Sequence, residues 1–203
     1  RDSYQLRITD KNGQFIKELL PVDPKSKVLH GLGQNFYVYD GKLNVFPHFS
    51  NTIFSITPDS TTQRYHFYFG DYHFPDDEIF QKKEYNSQAI MSEIMNNSYV
   101  RLMAPYETDE HLLVKYYVKR QVLLGIYNKK KHTAINLDPE MVIDSLHLGT
   151  FPVPIGFNHN EFIGQLTLDI QQKNRIMIPE LQKLMADYSE DSNPILIFYS
   201  LRS

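Results

Sequence analysis

The sequence predicts an all-β fold of repeated antiparallel meanders, and three observations carry that prediction. The 203-residue chain holds 14 Tyr and 13 Phe but no Trp, a bias toward side chains that suit half-buried pleated surfaces. Apolar and polar residues alternate with a period of two along most of its length. Turn residues punctuate these runs at short intervals. The stretch NTIFSITPDSTTQRYHFYFGDYHFPDD, Asn51 to Asp77, combines all three: two strands, an outer turn, and an exit through Phe69-Gly70.

Tyr4, Leu6 and Ile8 alternate with Gln5, Arg7 and Thr9, the pattern of a half-buried strand. Asp10-Lys11-Asn12-Gly13 supplies a turn, residues 14–20 return as the partner, and Pro21 with Pro24 is expected to end it. Strands follow at 36–39, 42–46, 52–56 and 64–69. Asp40-Gly41 turns the first pair, and Pro58-Asp59-Ser60 opens a longer turn between the last two. Residues 78–97 interrupt the β pattern, and Ile90, Met91, Ile94 and Met95 at helical spacing predict a short helix near 87–96. Its Met stripe reads as core packing.

A second meander is predicted at 99–103, 111–118, 122–127 and 133–137, with turns at 105–110, 119–121 and 128–131. In the last turn, Lys129-Lys130-Lys131 with His132 reads as a solvated charge run. A third unit has strands at 152–157 and 162–170, turning through Asn158-His159-Asn160. A helix follows over 179–188, where Leu181, Leu184, Met185 and Tyr188 recur at helical spacing and Pro179 suits the first turn. The closing strand, 194–199, is an uninterrupted apolar run and is expected to be buried.

Bulk properties exclude several classes. A net charge of −3 gives no electrostatic footprint for nucleic acid. The absence of cysteine removes disulfides, thiolate chemistry and Cys-ligated zinc. No apolar run approaches the ~18 residues of a membrane-spanning helix. The opening Arg1-Asp2-Ser3 stands almost inside a strand pattern, as in a trimmed chain.

The first full meander spans about 35 residues, near the ~40–45 of one propeller blade. The expected fold is thus a β-propeller of antiparallel four-stranded blades, read as a single domain. It divides into a half blade (1–24), a blade (35–77), a helical insertion (78–97), a second blade (98–138) and a closing blade (148–203). The opening half blade and three-stranded last blade point to the C-terminal part of a larger ring.

At these residues the chain resembles a family of bacterial six-bladed β-propeller proteins, mostly lipoproteins of unassigned function. The resemblance rests on Tyr4-Gln5-Leu6-Arg7-Ile8, Asp10-Lys11-Asn12-Gly13-Gln14-Phe15-Ile16 and Asn51-Thr52-Ile53-Phe54-Ser55-Ile56. Arg64-Tyr65 with Phe69-Gly70-Asp71-Tyr72 and Phe74-Pro75 is the most specific match. Asn193-Pro194-Ile195-Leu196-Ile197 and Tyr199-Ser200-Leu201-Arg202 match the closing strand. The resemblance implies an extracytoplasmic protein, periplasmic or lipid-anchored at the cell envelope. It also implies N-terminal blades with no counterpart here, so association with them or with another chain is expected. It transfers no catalytic residue.

Motifs for chemistry are sparse. The eight histidines, among them His48, His66, His73 and His159, lack the helical His-x-x-x-His spacing of zincins, so no metal site and no cofactor is expected. Asp76-Asp77-Glu78 lacks the alternating order of a calcium loop. Gly31-x-Gly33 falls short of a dinucleotide fingerprint, and neither a nucleophile elbow nor a P-loop occurs.

Propeller topology does define a face. Second-to-third-strand loops and loops leaving fourth strands open at the same end. These hold His48-Phe49-Ser50, Asp71-Tyr72-His73, Lys119-Arg120-Gln121 and residues 138–144. His48, Tyr72 and His73 are expected to share one rim, with Arg120 nearby and His159 on the opposite rim. Either these are ordinary loop residues, or their imidazole, phenol and guanidinium groups bind a polar or carbohydrate-like ligand or a protein partner. The expected function is therefore a non-catalytic binding module. The alternative is a propeller enzyme acting on carbohydrate or peptide through paired carboxylates.

Overall fold

The computed structural model describes residues 3–22, 36–47, 50–73, 88, 89, 92, 96, 99–118, 121–139, 151–166, 179–186 and 193–202. Two compact units divide the chain, Arg1–Leu102 with Tyr117–Gln121 and Met103–Tyr116 with Val122–Ser203. The described residues form all-β structure in four antiparallel sheets, with little helix.

The first unit opens with a hairpin of β1 (Ser3–Thr9) and β2 (Phe15–Val22). The Asp10 carboxylate accepts the N–H groups of Asn12 and Gln14 at 2.8 Å each, and Gly13 takes a φ of +81° that side chains disfavour. Pro21 does not end the strand as expected but pairs with Tyr4 inside it. A two-stranded sheet has an outer edge on each strand, where a missing N–H costs no ladder bond.

β3 (Phe36–Tyr39), β4 (Lys42–Val45), β5 (Thr52–Ile56) and β6 (Thr61–His66) form the first four-stranded meander, in sequence order. Asp40 and Gly41 both have positive φ, the geometry of a tight two-residue hairpin turn. Inside the sheet, Ser55 Oγ donates to Asn44 Oδ1 at 2.8 Å, a cross-strand pair that satisfies two buried polar groups.

The fourth strand begins at Thr61 and ends at His66, three residues earlier at each end than the sequence predicts. Thr57 and Ser60 close the preceding turn through their hydroxyls and backbone, so pairing resumes directly at Thr61 opposite Ile56. β6 is an edge strand, and its solvent face accepts the polar Thr-Thr-Gln start. A bulge opposite Ile53 and Phe54 makes Arg64 the extra residue of β6.

The expected helix near 87–96 coincides with helical backbone at Gln88, Ala89, Ser92 and Asn96. β7 (Arg101–Glu107), β8 (His111–Val118), β9 (Gln121–Asn128) and β10 (Thr133–Leu137) form the second meander, again in sequence order. β7 runs through Pro105 to Glu107, where the sequence predicts a turn already at 105. It is an edge strand, a setting in which proline fits a sheet.

In the second unit, Leu113 of β8, Leu124 of β9 and Phe162 form a fully buried cluster. Each such side chain contributes roughly 1.5–3 kcal/mol of burial. Phe162 opens β12 (Phe162–Leu166), the centre of a three-stranded sheet between β11 (Pro154–Phe157) and β13 (Ile195–Tyr199). Tyr199 packs on Phe162 and Phe151 and donates its hydroxyl to Pro152 O at 2.7 Å. Burial pushes that hydroxyl's pKa well above its ordinary value, and Tyr106 adds to the effect.

Gly164 lets this packing close. A Cβ there would lie 2.9 Å from Pro152 Cβ and 3.2 Å from its carbonyl oxygen. The helix α1 (Pro179–Ala186) falls between β12 and β13 in sequence, as its periodicity predicts.

β13 corrects an expectation. Instead of being buried throughout, it alternates: Ile195, Ile197 and Tyr199 are half-buried, while Leu196 and Phe198 are 51% and 55% exposed. The strand lies at a sheet edge with one face on the Phe162 cluster, so period-two geometry sends alternate side chains outward.

Candidate functional site

The exit from the first meander gathers the polar and aromatic groups that the sequence placed there. Thr52 and His66 are direct cross-strand partners, and Thr52 Oγ1 lies 2.9 Å from His66 Nδ1. One residue earlier, the Asn51 carbonyl accepts the Phe67 N–H at 2.8 Å, extending the ladder past the strand end. The chain then reverses at Gly70, whose φ of +57° favours glycine.

A single 3-10 turn over Gly70–Tyr72 brings His73 back toward the sheet, its N–H donating to Gly70 O at 3.0 Å. Val100 N–H donates to Tyr72 O at 2.7 Å and ties the turn to later sequence.

The outcome is a cluster of two imidazoles and two phenols. His73 Nε2 lies 3.0 Å from Asn51 Nδ2. The His66 and His73 ring centres are 5.8 Å apart, and Tyr68 lies 5.6 Å from His73. Tyr68 and Tyr72 are 80% and 39% exposed, offering aromatic faces to solvent. His73 Nδ1 is shielded from water and has no hydrogen-bond partner among the described residues. On the same strand the Arg64 guanidinium lies 5.3 Å from the centres of both the Tyr39 and Tyr65 rings, a cation–π arrangement.

Of the sequence-predicted site residues, Tyr72 and His73 lie here, in the loop leaving β6. The Asn51–His73 contact joins that loop to the β4–β5 connection, so both open at the same end of the sheet. His48 and Arg120 lie outside the described residues. His159 is exposed in the β11–β12 turn, and its carbonyl accepts the Asp109 N–H at 2.8 Å. No signal in the sequence pairs His66 or Asn51 with His73. The two histidines are seven positions apart, an odd spacing that a regular strand would send to opposite faces.

A second polar cluster lies where β7–β8 and β9–β10 turn back. Glu107 is completely buried, and Lys129 Nζ reaches its carboxylate at 2.7 Å and Thr108 O at 2.6 Å. This corrects the reading of Lys129-Lys130-Lys131 as a solvated run. Lys130 and Lys131 are exposed, but Lys129 turns inward to neutralise a buried carboxylate.

His111, also buried, places Nε2 3.0 Å from Asn128 Nδ2. Burial holds its pKa below the ordinary 6.5; Lys129 and Lys131 push the same way and Glu110 opposes. Among the described residues, no three His, Asp or Glu side chains are grouped as a metal centre. No described helix is long and apolar enough to cross a membrane.

A family model for a domain of unknown function, DUF4934, matches residues 1–200. The chain belongs to the DUF4934 family. This DUF4934 chain is similar in fold to a crystal structure from Bacteroides fragilis NCTC 9343, of a protein described as exported. The TM-score is 0.78 at 19% identity, covering 96% of this chain and 57% of that one. The DUF4934 chain therefore spans little more than half of its neighbour's length. No curated protein matches it at a significant level.

Proposed function

We propose that this DUF4934 chain is an exported, non-catalytic binding module built as part of a β-propeller. Its ligand is polar or carbohydrate-like and binds at the rim formed by Tyr72 and His73, where the sequence also places His48 and Arg120. The observation that carries the reading is the contact of Asn51 with His73. It joins the two connections that a blade directs toward one face, beside exposed Tyr68 and Tyr72. Phenol faces stack on sugar rings while imidazole and amide groups bond hydroxyls, the usual division of labour in a ligand site.

Two consecutive four-stranded meanders, each in sequence order, support the propeller. The neighbour's description as exported supports a place at the cell envelope, periplasmic or lipid-anchored.

The test is calorimetric titration with a panel of neutral and acidic oligosaccharides, alongside an assay for released reducing ends. Saturable binding that weakens about tenfold in Tyr72→Ala and in His73→Ala is expected, about 1.4 kcal/mol each, with reducing ends at background. Turnover of any panel member would replace this reading with the enzyme. Binding unchanged in both variants would move the site elsewhere.

A further inference from the structure

The shielded His73 Nδ1 calls for an explanation, because buried polar atoms are nearly always hydrogen-bonded and this one, like Arg64 Nε, has no hydrogen-bond partner among the described residues. Its surroundings define that role. Each imidazole of the pair is held at one nitrogen by a neighbouring residue at the start of β5. Thr52 Oγ1 holds His66 Nδ1 at 2.9 Å, and Asn51 holds His73 Nε2 at 3.0 Å. Metal-binding histidines are oriented in this way: the nitrogen away from the ion donates to an oxygen, which sets the tautomer.

Thr52 Oγ1 can accept from His66 Nδ1–H. An Asn51 amide turned to present Oδ1, which its shape allows in place, accepts from His73 Nε2–H. The lone pairs are then on His66 Nε2 and His73 Nδ1. Two imidazoles sharing an ion at ~2.0–2.1 Å hold their ring centres on the order of 5–6 Å apart. The observed separation is 5.8 Å.

We propose that His66 Nε2 and His73 Nδ1 bind one divalent transition-metal ion, with Thr52 and Asn51 as the residues that orient the two rings. Imidazole donors suit zinc, copper and nickel and are poor donors for calcium or magnesium. No third His, Asp or Glu joins the pair among the described residues. Two protein ligands leave further coordination positions to water or to oxygen donors of a bound molecule, and exposed His66 faces that water. The metal site shares His73 with the oligosaccharide reading but is tested with no sugar present, so zinc binding and sugar binding are read separately.

The experiment titrates the full 203-residue chain with Zn(II) alone. It follows heat by calorimetry and the histidine ring nitrogens by long-range proton–nitrogen NMR. One zinc per chain is expected, with His66 Nε2 and His73 Nδ1 shifting together at saturation. His66→Ala and His73→Ala should each abolish those shifts. Asn51→Ala and Thr52→Val, which keep both ligands, should weaken zinc about 10–100-fold, and His159→Ala should leave it unchanged. The wild-type NMR titration decides the matter even if a variant fails to fold. Saturating zinc that leaves the His66 and His73 ring nitrogens unmoved overturns the site, as does equal affinity in His66→Ala and His73→Ala.

Discussion

The two four-stranded meanders manage their polar groups in opposite ways. Where β7–β8 and β9–β10 turn back, Glu107 meets Lys129 at 2.7 Å, Lys129 meets Thr108 O at 2.6 Å, and His111 meets Asn128 at 3.0 Å. That cluster is closed: its charges neutralise each other away from water and pin two hairpins together. At the exit of β6, Thr52 and Asn51 each engage one nitrogen of a histidine, and His73 Nδ1 is unpaired among the described residues. That cluster has spare bonding capacity beside exposed tyrosines. The contrast teaches that burial alone does not mark a functional polar group. A polar atom left unspent beside exposed aromatic groups is the better sign.

The strongest way to break this comparison is Lys129→Met. It leaves Glu107 fully buried without its ammonium partner, and losing one member of a buried pair costs about 3–5 kcal/mol. Urea denaturation should show a loss of at least about 3 kcal/mol; a loss below ~1 kcal/mol would mean the pair is a surface contact in energetic terms.

A smaller effect comes from pH. His111 has a folded-state pKa below its ordinary 6.5, chiefly through burial. Below 6.5 the unfolded chain takes up a proton that the folded chain refuses, so stability falls with pH until the folded value is reached. His111→Asn should remove that component of the slope between pH 7 and the lowered value, and parallel wild-type and variant curves would contradict it.

The smallest expected effect is at the open cluster. His73→Ala should change stability by less than about 1 kcal/mol, since it removes one partly exposed hydrogen bond. A loss approaching that of Lys129→Met would erase the distinction and make His73 a structural residue.

Features governed by local rules were legible in the sequence. The Asp40-Gly41 turn, the strands 36–39, 52–56 and 133–137, and the helix starting at Pro179 lie where pattern and turn chemistry put them. Three departures share one cause. Pro21 inside β2, Pro105 inside β7 and the polar start of β6 at Thr61 all sit on sheet edges, where one side of the backbone owes no ladder bond. Strand order, which grants that freedom, is not written in any one segment. Among the candidate site residues, Tyr72 and His73 were found through their loop. The partners that give His73 its chemistry come from Asn51 and His66, in other parts of the meander.

By itself, then, the sequence determined the β class, the repeat of antiparallel meanders, most turns and the loop that carries Tyr72 and His73. These follow from side-chain period and backbone φ preferences, which act over a few residues. Tertiary structure alone decided which lysine of a basic run turns inward, which apolar face of β13 meets water, and which nitrogen of His73 is left open. Each depends on what stands across a sheet or beyond a turn, and distances of a few ångströms between residues far apart in sequence are set only when the strands assemble.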